Sequence, residues 1–198
     1  MKSMLALLLV LLVAVSAFAQ ADPDPDGLGF YFDLGATEVC TTTAAPFASV
    51  TGYLIITNPS AELGVSGWEA YVTVAGSPVA PSWTLAAGLD VDSSVQGFQV
   101  GIGTGGLALP AAPAVVLATY TAFIMAPTDV VTFYVEGVPG STSFDGTPGY
   151  AGGGSAGDLR PLQVSSGTGS GAPAAMINGC DVVANEDMTF STVKSLFR

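Results

Sequence analysis

The stretch Val65-Ser66-Gly67-Trp68-Glu69-Ala70-Tyr71-Val72-Thr73-Val74 decides the fold class. Trp68, Ala70, Val72 and Val74 alternate with Glu69, Tyr71 and Thr73. A period of two places the first set on one face of an extended strand and the second set on the other. The same alternation returns at Val131, Phe133 and Val135 against Thr132, Tyr134 and Glu136. Val115, Leu117, Thr119, Thr121 and Phe123 line one side of a further strand. Residues 50–57 crowd β-branched and aromatic side chains into a run that stops at the turn signal Asn58-Pro59-Ser60. Shorter strands are expected over 28–34, 83–86, 96–100 and 159–164. The 25 glycines and 13 prolines fall mostly in the gaps. Many short strands so punctuated predict an all-β chain folded as an antiparallel β-sandwich.

Three regions depart from this rhythm. Residues 149–157 (GYAGGGSAG) and 165–171 (SSGTGSG) read as flexible surface loops. Over 189–198, Phe190, Val193, Leu196 and Phe197 recur at helical spacing, with Asp187 or Thr189 as N-cap and basic residues toward the end. A short C-terminal helix is expected there. At the other end, Lys2, the apolar run 4–15 and Ala17-Phe18-Ala19 have the order of a secretory signal peptide. The expected organisation is a signal peptide at 1–19, an acidic segment at 20–27, a sandwich domain at 28–188 and the helical segment at 189–198. The apolar run 114–126, bounded by Pro113 and Pro127, is too short to cross a membrane. After cleavage the expectation is therefore a secreted or periplasmic protein with no membrane attachment.

Cleavage leaves Arg160, Lys194 and Arg198 against 16 acidic residues, a net charge of −13. Such a surface excludes nucleic acid as a partner, because phosphate contacts need Lys and Arg. Hydrophobic residues make up 49% of the chain, which excludes a disordered polymer. Cys40 and Cys180 are an even count in an exported chain, so a single disulfide is expected between the two ends of the domain.

The stretch 65–74, taken with Val116-Leu117-Ala118-Thr119-Tyr120-Thr121-Ala122, resembles the strand layout of cohesin-type β-sandwich modules. The resemblance implies a jelly-roll or immunoglobulin-like sandwich and a role in extracellular adhesion or scaffold assembly, with a protein partner. The ending Phe-Ser-Thr-Val-Lys-Ser-Leu-Phe-Arg is similar to the ends of a set of uncharacterised exported bacterial proteins. Neither resemblance carries over a functional residue.

The chain contains no His, so Ser-His-Asp and Cys-His triads cannot be built, nor can His-ligated metal sites. Acid–base chemistry by paired carboxylates stays open, with Glu62, Glu69, Glu136 and Asp145 as candidates for a glycoside hydrolase. No motif singles these out, and the expectation is a non-catalytic protein. Asp22, Asp24 and Asp26 alternate before Gly27, and Asp33 stands at the twelfth position counted from Asp22. Alternate carboxylates followed by Gly suit a hard cation such as Ca2+. Pro23 and Pro25 stiffen the loop, and the ordinary reading is a solvated acidic tail. Gly101-Ile102-Gly103-Thr104-Gly105-Gly106 fits a dinucleotide fingerprint only as letters, since Pro110 and Pro113 oppose the helix it needs. It reads as a glycine-rich turn. Tyr53 and Tyr71 alternate with apolar neighbours and so point outward, where aromatic rings could stack on a cell-surface glycan. A carbohydrate-binding module is thus the alternative to a protein-binding one, with Trp68 expected in the core.

Overall fold

The computed structural model describes residues 23–92, 94–155, 157–165 and 171–180. The expected signal peptide and the expected C-terminal helix lie outside the described residues. In chain order the strands are β1 (Gly27–Tyr31), β2 (Cys40–Thr41), β3 (Ala48–Thr57), β4 (Val65–Ala75), β5 (Val79–Leu85), β6 (Leu89–Asp90), β7 (Gly97–Gly101), β8 (Ala114–Ile124), β9 (Val131–Glu136), β10 (Gly149–Gly152), β11 (Leu159–Pro161), β12 (Gln163–Val164) and β13 (Ala175–Ile177). A 3-10 turn lies at Gly105–Leu107.

The strands form two sheets. One has the order β12-β1-β3-β8-β5, and the other runs β11-β10-β4-β9-β13-β2 with β7 also on β4 and β6 on β7. β4 is the spine of the second sheet. Its first half pairs with both β10 and β7, and its second half pairs with β9. Pairing is antiparallel except at two short contacts, β1 with β12 and β2 with β13, which make both sheets mixed.

The alternation of 65–74 is obeyed. Trp68, Ala70 and Val72 turn inward and are buried. A chain of rings crosses the space between the sheets. Trp68 meets Phe98 at 5.4 Å, Phe98 meets Trp83 at 5.3 Å, Trp83 meets Tyr120 at 5.0 Å and Tyr120 meets Phe133 at 5.2 Å. Phe30 stacks on Phe133 at 3.9 Å with 9° between planes. These edge and stacked contacts add specificity to the hydrophobic burial. Gly52 is required by one of them, because a Cβ there would lie 2.2 Å from Phe30 Cζ.

A second, smaller cluster of Tyr31, Ala36 and Ile55 packs on the outer side of the first sheet. The loop after β1 closes over it, and Asp33 organises that loop. Its carboxylate accepts from Gly35 N, Thr37 N, Thr37 Oγ1 and Glu38 N, at 3.1, 2.8, 2.9 and 2.7 Å. The glycine-rich run 149–157 is not a loop throughout, as its composition suggests. Gly149–Gly152 is strand β10, registered against Glu69, Trp68, Gly67 and Val65 of β4. The glycines are there for space. A Cβ at Gly149 would meet the Phe144 ring at 2.3 Å, and one at Gly152 would meet Asp158 Oδ2 at 2.3 Å. Cys40 and Cys180 form a disulfide with Cα atoms 5.5 Å apart.

Candidate functional site

A polar cleft of about 300 Å³ at one end of the sandwich is lined by Ser60, Glu62, Asp158 and Arg160 among others. Asp26, at the start of β1, ties this end together. Its Oδ1 accepts from Ser60 N at 2.7 Å and from Tyr150 OH at 2.6 Å, while Oδ2 accepts from Ser60 Oγ at 2.5 Å. Arg160 donates from Nη1 to Ser60 Oγ at 2.6 Å, and pairs with Asp158 at 3.1 Å through Nε and Nη2. Partial burial raises the Asp26 carboxyl, but the hydrogen bonds from Ser60 and Tyr150 and the Arg160 charge outweigh it and hold the carboxyl below the ordinary range.

Gathered on Ser60, Tyr150 and Arg160, the Asp26 carboxylate fastens β1 to the β3–β4 loop and to β10–β11. Asp26 itself sits at φ 58°, a left-handed conformation that Asp adopts more readily than most non-glycine residues.

The carboxylates suggested by sequence do not meet in an open cleft. Glu69 is 6% exposed, beneath the loop that follows β9, and Ser141 Oγ donates to it at 2.6 Å. It cannot reach a sugar. Glu136 stands opposite Tyr71 on β9 and β4, Glu62 lies in the polar cleft, and Asp145 sits at the φ 53° corner of the loop over Glu69.

The four-aspartate set is also divided. Asp22 lies outside the described residues. Asp26 and Asp33 lie beyond opposite ends of β1, a strand of five residues and so roughly 17 Å long. Asp33 spends its oxygens on its own loop, and Asp26 spends its own on Ser60 and Tyr150. Among the described residues no group of three or more Cys, Asp or Glu is placed to hold a metal ion. Tyr53 belongs to β3 in the first sheet and Tyr71 to β4 in the second, and Tyr71 OH donates to Gln96 Oε1 at 2.5 Å. The two rings do not share a surface.

The feature that sequence reading missed lies at the β6–β7 hairpin. Leu89 and Val91 are each 70% exposed, and Val95 in the turn is 90% exposed. Between them Asp90 Oδ1 accepts from Asp92 N at 3.0 Å and from Gln99 N at 2.9 Å. The strand is amphipathic in the reverse sense, with its acid serving the backbone and its apolar side chains in solvent. Leu89-Asp90-Val91-Asp92 shows the alternation, but a period of two does not say which face is covered.

The fold is a β-sandwich. Two solved structures are similar to it. One is the sixth cohesin of scaffoldin B from Acetivibrio cellulolyticus in complex with a mutant Cel5 dockerin, at TM-score 0.42 and 14% identity, over 77% of this chain and 96% of that one. The other is a type II cohesin domain from the cellulosome of the same organism, at TM-score 0.45 and 15% identity, over 80% and 98% of the respective chains. No protein-family model matches the sequence, and no curated protein matches it.

Proposed function

We propose that this chain is an exported, non-catalytic binding module that engages a protein partner along the β6–β7 edge. The observation that carries the reading is the outward apolar strip Leu89, Val91 and Val95. Apolar side chains left in solvent side by side favour an interface, because covering them removes apolar area from water. Among the described strands β6 pairs with β7 alone, so its far edge offers backbone groups to an added strand. Asp90 and Asp92 alternate with the apolar residues, so the fitting partner presents apolar side chains flanked by Lys or Arg. Export is supported by the signal-like segment at 1–19 and by the disulfide, which belongs in an oxidising compartment.

The test is affinity capture from the extracytoplasmic fraction of the producing cell, using wild type and a Leu89→Asp, Val91→Asp double variant. A captured partner, purified and titrated, should bind wild type and lose at least tenfold in affinity with the variant at unchanged melting temperature. Equal binding by both proteins would defeat the proposed edge. Glycan cleavage that disappears with Glu69→Gln would defeat the non-catalytic reading.

A further inference from the structure

A second apolar patch occupies the end of the sandwich away from the polar cleft. Phe47, Val79, Phe123, Met125 and Val130 are all exposed there. Val79 and Phe123 are register partners across β5 and β8, and Phe47 N donates to Met125 O at 3.4 Å. Phe47 is 65% exposed and sits at φ 56°, a conformation that bulky residues avoid.

The described chain finishes at this same end. Asn178 bonds Thr43 and the Asp129 carbonyl, a Cβ at Gly179 would lie 3.0 Å from Val130 Cγ1, and Cys180 is fixed to Cys40. The ten residues from Cys180 to Phe190 can span up to about 33 Å, enough to cross the patch in any direction. Residues 189–198 carry Phe190, Val193, Leu196 and Phe197 at helical spacing, with Lys194, Arg198 and no acid. Residues 23–180 hold twelve acids and one base, Arg160. Apolar face meets apolar patch, and a basic segment meets an acidic body.

We infer that residues 189–198 dock, through Phe190, Val193, Leu196 and Phe197, on the patch formed by Phe47, Val79, Phe123, Met125 and Val130 of the same chain. This docking is independent of the β6–β7 edge. It makes the disulfide a tether that holds the segment beside its seat, raising its effective concentration there.

The experiment places benzoylphenylalanine at position 197 of the oxidised mature chain and maps photocrosslinks by mass spectrometry at several dilutions. The expected result is intramolecular crosslinking into 44–48, 77–80 and 121–131, with a yield independent of protein concentration. Phe123→Ser with Met125→Ser, both at the surface, should cut that yield at least fivefold with the melting temperature retained. Should that variant melt early, Val193→Asp with Leu196→Asp in the segment itself gives the same reading. Val95→Ser, in the β6–β7 turn, should leave the yield unchanged. Crosslinks only between chains, crosslinks elsewhere on the sandwich, no crosslinks, or a yield indifferent to the patch and segment variants would overturn the inference.

Discussion

The Tyr120 hydroxyl is buried beside Trp83 and Phe133, with no hydrogen-bond partner among the described residues. Burial pushes its pKa up to about 12, because the charged phenolate has no water there. Removing an orphaned hydroxyl relieves a desolvation cost, so Tyr120→Phe should raise stability by about 1 kcal/mol in denaturant unfolding at pH 7. A tyrosine whose folded pKa exceeds its unfolded value loses stability as pH climbs through that window. Wild type should therefore weaken from pH 10 toward 12, and Tyr120→Phe should weaken less. Asp26 works in the opposite sense. Its depressed carboxyl contributes stability above the ordinary value of 3.8 and loses it as pH falls. Asp26→Asn should cost about 1–3 kcal/mol at pH 7, with the gap to wild type closing in acid. None of this network is legible in the sequence, since Asp26 and Tyr150 are 124 positions apart. Asp33 is different: Asp33-x-Gly35-x-Thr37 is a local turn signature. Reading it as the last ligand of a cation loop overlooks that the loop's own amides consume the carboxylate.

At the scale of elements, period and punctuation carry most of the information. The runs 50–57, 115–123 and 131–136 fall within β3, β8 and β9. The single face expected for 115–123 is not kept, however: Val115 and Leu117 are buried and Phe123 is exposed. A register shift against β3 near Leu117 hands the inward positions to Tyr120, Ala122 and Ile124. The short strands β2, β6 and β13 have two or three residues each, too few to show a period. β10 is masked by its glycines, which composition assigns to a loop and packing assigns to a crowded strand. Gly52 gives the clearest test of such packing. Gly52→Ala should cost about 1–3 kcal/mol, measured by thermal melting, because Phe30 must leave its stack on Phe133 to admit the methyl group. If the variant melts like wild type, the ring contact across the sheets is not under constraint.

The whole molecule is a sandwich closed by a distant covalent link. Cys40 and Cys180 are 140 positions apart, and a loop of that size restricts the unfolded chain by about 5 kcal/mol in the entropy account, against about 2–4 typically measured. Replacing both with Ala should lower the denaturant midpoint by a corresponding amount, read in the same buffer with and without reductant. Reductant should then change wild type only. The pairing was legible from an even count of cysteines, whereas the exposure of Leu89 and Val91 was not. Two apolar residues in an acidic tetrapeptide look the same whether they face a core or water. The most direct test of the proposed β6–β7 edge is amide hydrogen exchange on residues 20–198, free and bound to a captured partner. Binding along β6–β7 predicts slowed exchange at residues 89–95, with 149–152 and the polar cleft unchanged. Unchanged exchange at 89–95, with protection elsewhere on the sandwich, would contradict it.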